Sequence, residues 1–509
     1  MEVPKSIEIR LSLPGFPELQ PLVADFAHHA AVLADIAEPR RGAVRDALLS
    51  GVALVEGTLA TAGDEGVDLE LTARIHPDRL EFSLLESGIP LGGPLPDAMG
   101  RDIGARIRPA EVFDRVWWVQ RGRLGSELHL AIDRDGTAIH VLEEVRHRHD
   151  AEAAEPHEDV HPSEESTRYS LRPFQPNDAL EVARQIYESY GRSYPNPDLY
   201  VPDRIRRLNE DGRLQSIVCE APDGTICGHY ALERPDLGPI GEAGQAVLSP
   251  DHRGHGLMRP MRSAVEDRGR ELGLIGIFSQ PTAMHPLSQK MNIHFGAVPC
   301  ALMAGILPAA TDLRGGVAGE ATEHRAGGRR SCFLYWHPFG DEPALEAHVP
   351  EALIPLLADL YEARGRDVRF NASRSRPETP ADDAPHTVFA PALGSAWIAV
   401  HRVHAGSADA ILAAASALES GAEAGAVFID LPIDDPETPA AAERLLASGF
   451  RFGGVAPRSI PRPGDLRAED ALRLHRHAMP VDLPGLVAEG ELGQRLVATA
   501  FPDGADVAP

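Results

Sequence analysis

Ser249-Pro250-Asp251-His252-Arg253-Gly254-His255-Gly256-Leu257-Met258 is the stretch on which the reading of this chain turns. Ala243 to Leu248, just before it, suits a strand, and the residues after it carry helical apolar spacing to about Leu272. A strand that passes through Arg-Gly-x-Gly into a helix is an anion cradle. Small residues let the backbone approach a phosphate closely. The first turn of the helix then offers unpaired N–H groups and the positive end of its dipole. The loop has no Gly-Lys-Ser/Thr, so it is not a Walker loop. It also lacks the GxGxxG that opens a dinucleotide fold after a first strand.

The flanking elements narrow the reading. Tyr169 to Pro173 is a short strand, and a helix runs from Asp178 to about Tyr190. Leu214 to Glu220 and Ile226 to Glu233 form a hairpin through Asp223-Gly224. After the loop helix come a strand at Leu274 to Ser279, a helix near His285 to Phe295, and a strand from Val298 to Ile306. This order, with the glycine loop late in a hairpin-rich α/β unit, resembles the GNAT superfamily of N-acetyltransferases. The pyrophosphate loop there reads Q/R-x-x-G-x-G/A. The present loop fits it at Arg253 and Gly256, with Met258 in place of the last small residue. Read two residues earlier, Gly254 and Gly256 fit and Asp251 replaces the leading Gln/Arg.

The resemblance covers residues 168–310 and implies acetyl-CoA or another acyl-CoA as co-substrate. It places the pyrophosphate on the N–H groups of Arg253, Gly254, His255, Gly256 and Leu257. It pairs the pantetheine arm with Val247, Leu248 and Ser249, and sets the acyl carbonyl between that strand and Leu274 to Ser279. Glu242 stands where several family members keep a general base. The family's acid is a Tyr in N-x-x-A-x-x-L-Y-x-x-x-G-F. Here the spacing to Gly296 is kept, but Asn292 holds the Tyr position and is no ready proton donor. His285, Ser288 and His294 are the substitutes on that segment. The two histidines would act as acid because their pKa is near neutral, and Ser288 also falls beside the cofactor. Tyr187, Tyr190, Tyr194 and Tyr200 either wall the acceptor site or simply pack the first helix.

Residues 1–148 read as two helices, Leu19 to Ile36 and Val44 to Leu59, with strands at Ser6–Ser12, Val67–Ile75, Leu80–Leu85, Val112–Gln120 and Glu127–Arg134. This order, with the stretch Glu86-Ser87-Gly88-Ile89-Pro90, resembles the anti-sigma-factor branch of the histidine-kinase-type ATPases. The family's ATP site is eroded here. Asp46 and Ser50 replace its Glu and Asn, Glu86 replaces the Asp of its box, and its lid is reduced to Gly100 and Gly104. The resemblance therefore implies a degenerate fold kept for regulation or for a protein partner, without a working ATP/Mg site.

Residues 149–167 are an acidic linker with Pro156 and Pro162, too poor in apolar side chains to offset its ordering entropy. Its histidines are read as incidental. Residues 311–330 form a second, Gly-rich linker, and 372–386 a long loop. The piece 331–480 opens with the strand Ser331 to His337. Its later part (VFIDLP, AAAERLLASGF, RFGGVAP) resembles the second half of a GNAT domain without the Arg-x-x-Gly loop. It is expected to pack on the central domain and to help complete the acceptor pocket. Residues 481–509 are expected to be a short helix and a tail. The expected fold class is thus α/β and α+β multidomain: a two-layer α/β sandwich followed by tandem GNAT-like mixed sheets.

Composition sets outer bounds. A net charge of −27 over 509 residues disfavours nucleic acid and anionic membranes and suits an amine-bearing small molecule or a protein lysine. Four cysteines with no CxxC pair imply neither a disulfide scaffold nor a zinc site. No signal peptide or spanning segment is read, so a cytoplasmic location is expected. Two functions remain: an acyl-CoA-dependent N-acyltransferase, or a non-catalytic acyl-CoA sensor that binds a protein partner through its first domain.

Overall fold

The structure is a computed structural model. It describes residues 7–14, 20–38, 40–49, 52, 68–76, 79–86, 112–120, 126–133, 141–142, 169–190, 194–309, 311, 328–371, 384–422, 424–462 and 465–502. The acidic linker, most of the Gly-rich linker and the loop at 372–383 lie outside the described residues, as do Ser50, Gly100 and Gly104.

The N-terminal part has β1 (Ile7–Pro14), α1 (Gln20–Leu33), α2 (40–49), β2 (Asp68–Ile75), β3 (Arg79–Glu86), β4 (Arg115–Gln120), β5 (Ser126–Asp133) and β6 (Val141–Leu142). The strands lie in the order β1-β2-β3-β5-β4-β6. One side of the sheet is covered by the helices. Ala27, Ala30, Ala31 and Ala34 let α1 approach closely, and Val44 and Leu48 of α2 meet Leu71, Phe82 and Leu130. Asp46 is on the exposed side of α2, paired with Arg45 at 2.8 Å.

The rest of the described chain builds one sheet of twelve strands. Its first half comprises β7 (Ser170–Pro173), α3 (Ala179–Tyr190), α4 (Pro202–Glu210), β8 (Leu214–Glu220), β9 (Ile226–Glu233), β10 (Ile240–Leu248), α5 (Met258–Glu271), β11 (Gly276–Ser279), α6 (Leu287–His294), β12 (Val298–Leu307) and β13 (Arg330–Pro338). Its second half comprises β14 (Leu345–His348), α7 (Ile354–Arg364), β15 (Val368–Asn371), β16 (His386–Ala390), β17 (Ser395–Ala399), α8 (Ser407–Gly421), β18 (Ala426–Pro432), α9 (Thr438–Ala447), β19 (Arg451–Arg462), β20 (Asp465–His477) and α10 (Gly490–Ala500). The order is β7-β8-β9-β10-β11-β13-β12-β19-β20-β18-β17-β16, with β14 and β15 as a separate parallel pair.

Here the sequence reading needs correcting. The strand expected to open a third module is β13, and it lies between β11 and β12. It pairs with β11 from Gly276↔Pro338 to Ser279↔Tyr335 and with β12 from Val298↔Trp336 to Leu307↔Arg330. The linker at 311–330 thus separates two strands of one lobe. The central lobe closes at about Pro338, beyond the expected end at 310.

The two halves repeat one plan. The run β9-β10-β11-β13-β12 matches β16-β17-β18-β20-β19, with β10/β11 and β17/β18 as the parallel pairs and a helix after each parallel strand. The halves meet edge to edge where β12 pairs with β19 at Ala301↔Gly454. Gly454 has φ +124°, and a Cβ there would stand 2.3 Å from the Cys300 carbonyl oxygen. Buried Arg329 fastens the joint. Its guanidinium donates to the carbonyls of Gly305 and Ile306 on one side and to Leu393 O and Ser395 Oγ on the other. Asp470 adds a buried knot. Burial alone would raise its pKa, but Arg364 and Arg366 outweigh that and hold it down at about 2. A single apolar core runs through the joint, from Leu302 and Phe333 to Leu357, Ile398 and Leu474.

The C-terminal segment carries the short helix α10 and is tied to the central lobe ahead of it; residues 503–509 lie outside the described residues. Val487 N donates to Ala283 O, and Gln289 of α6 bonds Val487 O and the N–H of Glu489. The described residues include no helix long and apolar enough to cross a membrane.

Candidate active site

β10 is where the fold opens. It pairs in parallel with β11 only from Ile240↔Gly276 to Glu242↔Phe278, then runs on to Leu248 while β11 ends at Ser279. On its other side, the register with β9 breaks between Gly244 and Val247. Gln245 sits in this bulge with φ +61°, a left-handed conformation that few side chains adopt.

A buried polar chain holds the bulge in place. His229 Nδ1 lies 3.0 Å from the Gln245 carbonyl, which can only accept, so Nδ1 carries the proton. The other nitrogen then accepts from the Ser216 hydroxyl at 2.9 Å. Burial pushes the His229 pKa down to about 4, which keeps the ring neutral and this pattern fixed.

Glu242 lies at the apex of the opening. Its carboxylate accepts from Gln280 Nε2 at 2.8 Å. Burial, and then repulsion from Glu233, raise its pKa to about 8 against that hydrogen bond. The side chain nevertheless keeps part of its surface open to solvent. A half-buried carboxyl that titrates near neutral pH is suited to general base work. Tyr190 and Tyr194 pack with ring centroids 4.7 Å apart, and the Tyr194 N–H bonds the Tyr200 hydroxyl at 2.9 Å. Burial, then Tyr190, Glu242 and Glu233, raise the Tyr194 hydroxyl well above its usual value, which puts this residue beside the carboxylates.

The glycine loop follows β10. Gly254 has φ +80° and Gly256 φ +69°, and no heavy atom lies within 4 Å of where either Cβ would stand. Both glycines are thus required by conformation and border open space. The first turn of α5 has neither a side-chain cap nor an acidic residue, so its N–H groups and dipole face that space uncompensated. Val247 and Leu248 pair with His229 and Gly228 of β9, and the opposite edge of β10 borders the opening. Ser249 is buried, its N–H bonded to Cys227 O and its hydroxyl without a partner. Arg253 Nε reaches back to Leu248 O at 3.2 Å. His255 packs on the Tyr169 ring at 5.6 Å, and Leu257 is buried.

The residues expected on α6 divide. His285, Ser288 and Asn292 fall on one stripe of the helix and its entrance. Three buried atoms on that stripe lack a hydrogen-bond partner: His285 Nδ1, Ser288 Oγ and Asn292 Oδ1. Burial lowers the His285 pKa. His294 is exposed, its ring against Phe295 at 5.6 Å. Nothing brings it to Glu242.

The second half has no such opening. β17 and β18 stay paired throughout, from Ser395↔Ala426 to Ala399↔Asp430. Gly406, ahead of α8, has φ −93°.

The sequence reading named Glu242, the loop and the α6 stripe. It missed Glu233, Gln245, Gln280 and His229. The signal for Glu233 was there to use, because hairpin pairing sets it directly opposite Glu242.

No protein-family model and no curated protein matches the sequence. Solved structures do. A spermidine N-acetyltransferase from Vibrio cholerae shares 13% identity over 34% of this chain and 94% of its own, with a TM-score of 0.27. YncA of Salmonella typhimurium, a putative acetyltransferase solved with acetyl-CoA, shares 12% over 34% and 95%, with a TM-score of 0.28. The ribosomal-protein-S5-alanine acetyltransferase of Vibrio fischeri shares 15% over 34% and 94%, with a TM-score of 0.26. Each of these acetyltransferase structures matches about a third of this chain.

Proposed function

We propose that the central lobe is an acyl-CoA-dependent N-acyltransferase that moves an acetyl or similar short acyl group to an amine. One observation carries the reading. The parting of β10 from β11 at Glu242 leads straight into an uncapped helix N-terminus behind two left-handed glycines. An open helix N-terminus next to an unpaired strand edge with a carboxyl at its apex supports the reading, because it is the layout a phosphate-tailed thioester needs.

In this reading Glu242, directly or through one water, takes the proton of the acceptor ammonium. The amine attacks the thioester carbonyl, the C–N bond forms, and the C–S bond breaks. The unpartnered atoms of His285, Ser288 and Asn292 would bond the pantetheine arm. As the C–N bond forms, the attacking nitrogen gives up its second proton, and His285, kept neutral by burial, is the proposed relay that accepts it at one ring nitrogen and donates from the other to the departing sulfur. A thiol titrates near 8.5, so the thiolate leaves with little help, and the loss of the family Tyr at Asn292 is tolerable. The lobe 339–480 would act as a support with its own cleft closed. The N-terminal domain would regulate the enzyme or bind a partner, and ATP titration of the whole chain tests whether any nucleotide site survives.

Asn292 favours a second reading, in which the cleft binds acyl-CoA as a signal without turnover. Calorimetric titration with acetyl-CoA and longer acyl-CoAs tests the shared part, with micromolar binding expected. Gly254→Asp should abolish it by placing a carboxylate in the anion cradle, with only the small loss of stability that a non-glycine residue at φ +80° costs. Unchanged affinity would overturn the site. Release of free CoA with an amine acceptor separates the enzyme from the sensor.

A further inference from the structure

Glu242 and Glu233 are direct register partners on adjacent antiparallel strands. Their side chains share one face, ~5 Å apart at their bases, an arrangement that is unfavourable for like charges unless something lies between them. Asp198 stands close enough to raise Glu233 further, after burial has done most of the work. Among the described residues no Lys, Arg or His pairs with any of the three. Glu242 and Glu233 thus share one wall of the cleft, and among the described residues no cation pairs with them.

A separate observation points to what is missing. Gln245 is only 6% exposed, and its Nε2 donates to Glu233 Oε2 at 2.7 Å. Its Oε1 is buried with no donor. The opposite amide orientation would set that oxygen against the carboxylate, so the assignment follows from the chemistry. Because Oε1 and Nε2 share one carbon, a group placed against Glu233 is also within reach of Oε1. A group that donates several hydrogen bonds suits this place, and an ammonium does so while also matching the carboxylate charge. The Tyr190–Tyr194 pair beside it offers ring faces that attract cations.

We propose that the cleft selects acceptors with a second cationic group, held by Glu233, Asp198 and Gln245 Oε1 while the reacting amine lies at Glu242. Short alkyl diamines span the ~5 Å between these places. The proposal rests on the acyltransferase reading for the identity of the reaction, but not for the binding itself.

The test compares 1,3-diaminopropane and 1,4-diaminobutane with propylamine and butylamine on the full chain. Calorimetry without acyl-CoA should show at least about tenfold tighter binding of the diamines, and acetyl transfer should show at least the same ratio in kcat/KM. Glu233→Gln should reduce both ratios about tenfold. Asp198→Asn, at a partly exposed position, serves the same purpose if Glu233→Gln does not fold. Equal binding of diamines and monoamines overturns the proposal. It would indicate that the two glutamates share a proton instead. Diamine preference unchanged in Glu233→Gln also overturns it. Diamine-selective binding without any acetyl transfer would sink the enzyme reading and leave the subsite standing.

Discussion

At the scale of single residues, the proposed chemistry rests on Glu242. Its carboxyl is held near 8 mainly by burial, with Glu233 adding to the effect, so its basic form grows as the pH rises through about 8. Acetyl transfer should therefore increase from pH 6 and level off above about 8. Glu242→Gln should lower kcat by about 10²–10⁴-fold and leave acetyl-CoA affinity unchanged. A flat pH profile, or an equal loss of CoA binding, would remove Glu242 from the role of base. Glu242 was legible because it precedes a recognisable loop at a fixed distance. Gln245 was not, because a left-handed bulge residue leaves no mark on a strand pattern that otherwise alternates correctly.

At the scale of elements, the bulge of β10 and the joint of β12 with β19 decide the most. His229 satisfies the Gln245 carbonyl that the broken register strands. His229→Leu should cost about 1–3 kcal/mol through that unpaired carbonyl. It should also raise the acetyl-CoA Kd, because the bulge would relax and the opening narrow. Urea unfolding and calorimetry read the two effects separately, and an unchanged Kd would mean the opening does not depend on the bulge. At the joint, Gly454→Ala would place a Cβ 2.3 Å from the Cys300 oxygen at φ +124°. A loss of about 2–4 kcal/mol is expected in urea unfolding, from backbone strain and overpacking together. The boundary of these elements was the poorest part of the sequence reading. A Gly-rich stretch at 311–330 looks like an interdomain tether, yet it connects β12 to β13. Strand pairing between distant segments cannot be read from the composition of the loop that joins them.

At the scale of the whole molecule, the acid limit of stability has an identifiable source. His229 and His475 are buried, His477 is half-buried, and all three are neutral. Burial is the main cause in each case, lowering His229 and His477 to about 4 and His475 well below its usual value. The unfolded chain binds these protons below about 6.5 and the folded chain does not, so stability is lost as the pH falls from 6.5 towards 4. Each group contributes a slope of at most about 1.4 kcal/mol per pH unit. The urea midpoint should fall between pH 7 and pH 5. His475→Leu should narrow that difference, because neither ring nitrogen of His475 has a partner to lose. An unchanged difference would place the acid sensitivity elsewhere.

The repeated plan of the two halves bears on how such a protein can change over time. In a symmetric pair of identical subunits, every mutation strikes both copies. Here two copies of one strand plan are written consecutively in one chain and joined at Ala301 and Gly454. Each can therefore drift alone. A substitution in one half thus leaves the matching position of the other untouched, and the two already differ: β10 runs six residues past its last pairing with β11, while β17 is paired with β18 along its whole length.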